Sequence, residues 1–312
     1  MQTMKAVRIH EYGAPDVLVY EDAPRPEPGT GEVLVRVHAA ALNPVDWKIR
    51  AGYVKNWLSY TLPMIPGWDF SGVIDSVGPD AGQWKPGDHV YGRPDISRNG
   101  AYAEYLVVHA SEIAAKPRSI DHVHSAALPL AGLTAWQALF DTAALTEGQS
   151  VLVHAAAGGV GSLAVQLAKW AGAHVAGTAS GRNQFLLRDL GVDQPIDYQN
   201  TRFEDVVHDV DVVLDSMAGE TRNRSWKVLK KGGILVTLLG QGPLEEAASY
   251  GVRGVGIMAK PDQKELDEIA ALVDLRKLKP VIEAVFPLQE AAKAHQLGET
   301  NRARGKIVLR VD

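Results

Sequence analysis

The sequence predicts an α/β chain: a doubly wound parallel sheet preceded by a mostly-β region. Three observations lead there. From about residue 123, short apolar runs alternate with segments of helical period, the pattern that builds a parallel sheet through crossover helices. A glycine-rich turn, HAAAGGVG at 154–161, lies between the first clear run and the first clear helix. Before residue 123, short candidate strands are separated by Gly, Pro and Asp, which suits a barrel or sandwich.

Taken in order, PRPEPGTGE is a loop by composition, and EVLVRVHAAAL alternates apolar and polar at its start like a half-buried strand. FSGVIDSVG, GDHVYG and AYAEYLVV continue as strands. VLVHA (151–155) is a strand, followed by a helix over GGVGSLAVQLAKWAG ending at Gly172. HVAGTAS is the next strand, RNQFLLRDLG a helix closing at Gly191, and PIDY a third strand. DVVLDS from Asp211 is a fourth, GETRNRSWKVLKKGG reads as helical, and ILVTLLG is a fifth. The tail is mixed: a helix around 262–277, PVIEAVFPL, a helix at 288–297 and a strand GKIVLRV. Periodicity alone assigns that tail to neither region.

A chain of 312 residues, 46% apolar and 22% charged, has room for two domains with sizeable cores. Net charge is −5 and the basic residues are scattered, so neither nucleic acid nor an anionic membrane surface is an expected partner. The opening MQTMKAVRIHEYG has no apolar signal core, and no apolar run is long enough to span a bilayer; a cytoplasmic location is expected. With no cysteine there is no disulfide framework, thiolate nucleophile or cysteine-ligated zinc. The ten histidines show no metal-binding helical spacing. His122 and His124, two apart in DHVHSAAL, read as surface residues near a helix start.

In the turn, Ala156, Gly158 and Gly161 stand at the three places of G-x-G-x-x-G, with Gly159 and Val160 between the last two. The second glycine lets backbone approach a pyrophosphate, the third lets the helix pack on the strand, and the helix N-terminus attracts phosphate. Strand before and helix after favour a dinucleotide cradle over a plain turn. NAD-binding versions carry an acid at the end of the second strand; here the segment reads GTASGRNQ. Ser180 can donate to a phosphate and Arg182 offers a charged fork, so NADPH is the expected cofactor. Arg182 taken alone also reads as a solvated residue opening a helix. Tyr198 is either a neighbour of that phosphate or a core tyrosine.

With these residues in hand, the chain resembles a medium-chain dehydrogenase/reductase, and within that superfamily the zinc-independent quinone oxidoreductases and enone reductases. The likeness covers nearly the whole chain: ALNPVDWKIRAG, IPGWDFSGVIDSVG, GDHVYG, GAYAEY, GLTAWQAL, VLVHAAAGGVGSLAVQLAK, RNQFLLRDLGVDQPIDY and ARGKIVL occur in one order. The resemblance implies a catalytic GroES-like barrel domain made of 1–122 and 263–312, with an NADPH-binding Rossmann domain at 123–262 inserted. It implies that Ser180, Arg182 and Tyr198 lie near the 2′-phosphate, that Thr134 neighbours the nicotinamide, and that Leu239, Gly240 and Gln241 meet it through backbone. It also implies a homodimer, formed through a strand near 250–258.

Zinc-dependent relatives carry a cysteine ligand where this chain has Asn43, and Gly-His-Glu where it has Gly67, Trp68 and Asp69. No metal site is therefore expected, and alcohol oxidation loses its Lewis acid. Hydride transfer to a quinone or an α,β-unsaturated carbonyl needs only donors for the oxygen that gains charge. Candidates are Asn43, at the zinc-ligand place; Lys48, either a cation beside the enolate or a surface lysine; and Tyr53, either a donor or a cap on the pocket. Asp46 reads as structural. Some of Trp47, Trp57, Tyr60 and Trp68 would line an apolar cavity. Two other functions stay open: a metal-free NADPH-dependent carbonyl or alcohol oxidoreductase, and a low-turnover NADPH-binding sensor or partner protein.

Overall fold

The computed structural model describes residues 2–58, 60–240 and 242–311. The chain divides into two compact units: one takes in the chain through Ala131 together with Pro261–Arg276 and Pro280–Asp312, and the other is Gly132–Lys260 with Lys277–Lys279.

The first unit opens with β1 (Thr3–Ile9) and β2 (Leu18–Pro24), an antiparallel pair. β3 (Glu32–Leu42) is an 11-residue strand over the EVLVRVHAAAL segment read as one. It runs into helix α1 (Pro44–Arg50), then β4 (Phe70–Val77), β5 (His89–Gly92), β6 (Tyr105–His109) and β7 (Ile113–Ala115). Helix α2 (His122–Ala126) is capped by Asp121, whose side chain accepts from the His124 N–H. Its Ala126 and Ala127 pack on Ala39, Ala41 and Val308. That packing keeps α2 with the first unit, so the division falls between Ala131 and Gly132 rather than near residue 122. It lies within α3 (Pro129–Trp136).

The second unit contains β8 (Ser150–Val153), α4 (Gly159–Trp170), β9 (His174–Ala179), α5 (Gln184–Asp189) and β10 (Gln194–Asp197). β11 (Val210–Asp215), α6 (Gly219–Ser225), β12 (Leu229–Thr237), β13 (Gly242–Pro243) and β14 (Arg253–Gly256) follow. Among the described residues its sheet order is β10-β9-β8-β11-β12-β14-β13, parallel except for β13. This is the doubly wound arrangement, with its switch point between β8 and β11, where such sheets bind ligands. The helix expected to run through KVLKKGG stops at Ser225. Leu229 pairs with Val210 in the sheet, and Trp226, Val228 and Leu229 are buried with Phe203 and Leu235. Burial of those apolar side chains outweighs the helical propensity of the lysines between them.

The tail returns to the first unit as α7 (Gln263–Asp274), β15 (Ile282–Pro287), α8 (Ala291–Glu299) and β16 (Lys306–Arg310). β16 pairs with β3, giving a sheet β15-β16-β3-β4-β5-β7 with β6 also on β3. Its core gathers Val33, Val35, Val37, Phe70, Ile74, Leu106, Ile307 and Leu309. Residues 306–310 thus enter the same sheet as α1's flanking strand.

Candidate active site

The candidate residues divide by role: Asn43, Lys48 and Tyr53 belong to the first unit and the cofactor-binding set to the second. In the second, β8 ends at Val153, and the turn brings Ala156 N–H to the Thr178 carbonyl at 2.9 Å. Gly158 is the N-cap of α4, and the first helical bond there is Ser162 N–H to Gly158 O at 2.9 Å. The N–H groups of Gly159, Val160 and Gly161 come ahead of that bond, so they face out of the helix end. A Cβ on Gly161 would run into the Ala155 carbonyl and come within 2.8 Å of Ala156 Cα. Glycine at 161 therefore lets α4 lie on the turn. At Gly158 a Cβ would meet only the Ala155 oxygen, at 3.2 Å. Open backbone and outward N–H groups at a 12-residue helix fit a phosphate-bearing nucleotide.

Beneath the turn lies His154, which sequence reasoning passed over. Its Nδ1 is 3.1 Å from Thr178 Oγ1 and its Nε2 2.9 Å from Ser225 Oγ. Ser225 donates its own proton to Thr221 O at 2.7 Å, so it accepts from His154 Nε2–H, and Thr178 donates to Nδ1. Burial pushes the imidazole down to about 4, so it stays neutral and fixes the end of β8. Asp215, buried at the end of β11, accepts from the Met217 and Ala218 N–H groups at 2.9 Å each and pairs with Arg222. Ser216 Oγ donates to the His154 carbonyl at 3.2 Å. The two strand ends at the switch point are thereby tied together.

At the end of β9, Asn183 Nδ2 donates to Ser180 Oγ at 3.3 Å, and Arg182 is exposed in the following turn. Tyr198 is 60% exposed, which disfavours the core-tyrosine reading, and its N–H bonds Ala179 O at 3.2 Å. Ser180, Arg182 and Tyr198 are thus brought to one corner of the sheet. Thr134 is buried. Leu239 N–H donates to Thr237 Oγ1 at 3.2 Å, and Gly240 has φ +123°, a conformation suited to glycine. Gln241 lies outside the described residues.

In the first unit, Asn43 is the N-cap of α1 and is buried. Its N–H donates to Asp46 Oδ2 at 2.7 Å, and its Nδ2 to Asp69 Oδ2 at 2.8 Å and Ala41 O at 3.4 Å. Lys306 Nζ donates to Asn43 Oδ1 and, at 2.8 Å, to Asp69 Oδ2. Asp69 Oδ1 accepts from Leu130 N–H at 2.6 Å. An ammonium therefore stands among the residues at the zinc-ligand places. Trp68 is fully buried against Ile9, Ile49 and Met64, its Nε1 donating to Arg98 O at 3.3 Å. It is a core residue, not a cavity wall. An amide, an indole and a carboxylate already committed to Lys306 do not fit a zinc ion. Among the described residues, no group of three or more His, Asp or Glu side chains is placed to hold a metal.

Asp46 is buried, which pushes its carboxyl up to about 7. It accepts from Tyr102 OH at 3.3 Å; Tyr102 lies 3.3 Å from His295 Nε2, and His295 Nδ1 3.3 Å from Arg50. This chain anchors α1 to α8. Lys48 and Tyr53 form a separate group: Lys48 Nζ is 5.6 Å from the Trp47 ring centroid, and Tyr53 meets Trp47 edge-on at 6.2 Å. Burial holds the Lys48 ammonium below its ordinary value, whereas Tyr53 and Trp57 are each 71% exposed. Tyr60 donates to Ile96 O at 2.6 Å. So Lys48 and Tyr53 come together through Trp47, while Asn43, at the other end of α1, belongs to the Lys306 network.

A family model described as alcohol dehydrogenase GroES-like domain matches residues 29–118, and one described as zinc-binding dehydrogenase matches residues 190–309. A 2-methylene-furan-3-one reductase from Solanum lycopersicum is 38% identical over 98% of this chain and 79% of its own length. The chloroplastic NADPH-dependent alkenal/one oxidoreductase of Arabidopsis thaliana is equally similar, 38% over 98% and 79%. The solved quinone oxidoreductase from Coxiella burnetii superposes with a TM-score of 0.94 at 38% identity, covering 100% of both chains. A parallel nucleotide-type sheet and a GroES-like domain in one chain define the medium-chain dehydrogenase/reductase superfamily, and this chain belongs to it. It is an oxidoreductase of the quinone oxidoreductase and enone reductase type, using a nicotinamide cofactor.

Proposed function

We propose that the chain is an NADPH-dependent reductase that transfers hydride to a quinone or an α,β-unsaturated carbonyl. One observation carries the cofactor choice: the end of β9 has no acid of its own and presents Ser180 and Arg182, with Tyr198 exposed beside it. The acceptor class rests on the printed names of the relatives. The N–H groups of Gly159, Val160 and Gly161 would hold the pyrophosphate, Ser180, Arg182 and Tyr198 the 2′-phosphate, and Thr134, Leu239, Gly240 and Gln241 the nicotinamide end. Bound NADPH supplies the hydride. Lys48 and Tyr53 stabilise the oxygen that gains charge, Asn43 keeps its amide oriented through Lys306 and Asp69, and solvent gives the proton.

NADPH oxidation with a quinone, a short enone and a simple aldehyde tests this. Turnover of the quinone or enone well above that of the aldehyde is expected. Aldehyde turnover alone would favour a carbonyl reductase, and no turnover with tight NADPH binding a sensor. A homodimer at the β14 end of the sheet and a cytoplasmic location belong to the same reading. A single-chain mass by light scattering, or recovery in another cell fraction, would contradict them.

A further inference from the structure

β10 pairs in parallel with β9 so that Asp197 stands opposite Ala179, one residue before Ser180. Neighbouring strands lie about 4.8 Å apart. The Asp197 carboxylate thus reaches the turn at 180–182 from the side: Oδ2 is 2.9 Å from where a Cβ on Gly181 would stand. Glycine at 181 makes room for it. The carboxylate is held by Gln199 N–H at 3.1 Å to Oδ1 and by Asn200 Nδ2 at 2.6 Å to Oδ2. It is half-buried, and Gly181, Arg182 and Tyr198 around it are exposed. The acid missing from the second strand of the nucleotide sheet is therefore supplied by the third.

We propose that Asp197 sets the nucleotide selectivity of this chain, accepting from the adenosine ribose hydroxyls of NADH and opposing the 2′-phosphate of NADPH. This rests on the reading that the adenosine end lies at Ser180 and Arg182. An ionised carboxylate is an acceptor only, so it bonds a ribose hydroxyl but repels a phosphate. Arg182 and Ser180 favour the phosphate. Asp197 narrows that preference without reversing it, so NADPH stays the favoured nucleotide and NADH also binds.

Dissociation constants of NADPH and NADH, measured by calorimetry on the full chain and on Asp197→Asn, test the idea. Asparagine keeps the acceptor for Gln199 N–H and removes the charge. The NADPH-over-NADH preference is expected to rise by about tenfold or more, the size of one charge-assisted contact. An unchanged ratio overturns the proposal and leaves the nucleotide site standing. Failure of the unmutated chain to bind either nucleotide overturns both. A second measurement needs no variant: 2′,5′-ADP is expected to bind the native chain more tightly than 5′-AMP, but by less than about a hundredfold. A preference of more than about a hundredfold for 2′,5′-ADP also overturns the proposal.

Discussion

Lys306 Nζ lies 2.8 Å from Asp69 Oδ2, with both side chains almost wholly buried and 237 residues apart in sequence. The same ammonium holds Asn43 Oδ1. A buried carboxylate is tolerated here because a cation and two further donors face it: Lys306, Asn43 Nδ2 and Leu130 N–H. Taking away one member of such a pair strands the other's charge. Lys306→Met is expected to cost about 3–5 kcal/mol in chemical denaturation, with much of it recovered in Lys306→Met/Asp69→Asn. Equal losses in the single and double variants would show that the pair is not coupled.

The two turn glycines should respond unequally to alanine. At Gly161 the new Cβ collides with backbone of Ala155 and Ala156, so α4 must move. Gly161→Ala is expected to lose about 2 kcal/mol or more of stability and most nucleotide affinity. Gly158→Ala meets only one oxygen at 3.2 Å and is expected to keep the fold. Thermal melts and nucleotide titrations of both variants check this. Equal melting of the two would contradict the contact geometry.

Arg182→Ala should separate the nucleotides. NADPH affinity is expected to fall by about tenfold or more, with NADH nearly unchanged. Equal weakening of both would show that Arg182 does not meet the 2′-phosphate.

His154 makes stability fall in acid. Its pKa is near 6.5 in the unfolded chain and about 4 in the fold. Between those values the unfolded chain takes up a proton that the fold refuses. This contribution is complete above about pH 6.5 and lost as pH falls toward 4, on the order of 2 kcal/mol by about pH 5. His154→Gln is expected to show a shallower acid limb when urea midpoints at about pH 7.5 and 5 are compared. An unaltered slope would mean that folding does not depress the His154 pKa.

The order of strands and helices and the glycine turn were legible because each is a local pattern: apolar period, a glycine at the helix entry, a turn residue at its end. Helix α6 ends earlier than its helical period suggests because the pull of Leu229 into the sheet comes from Val210, not from its neighbours. Ser180, Arg182 and Tyr198 could be grouped by resemblance. Asp197 could not be placed, since only the β9–β10 register sets it beside Gly181. Lys306 lies in the ARGKIVL motif, but nothing local says that β16 pairs with β3 and brings its ammonium to Asn43. Asn43 stands out in the sequence only by its place in the zinc pattern, and its buried amide partners come from β16 and from Asp69, far along the chain.

The most direct measurement follows the hydride itself. NADPH deuterated at the transferable position is incubated with the chain and a short α,β-unsaturated ketone, and the product is read by mass spectrometry and NMR. Deuterium at the carbon β to the carbonyl is the expected result. Label at the carbonyl carbon, or unlabelled starting ketone after complete binding of NADPH, would contradict it.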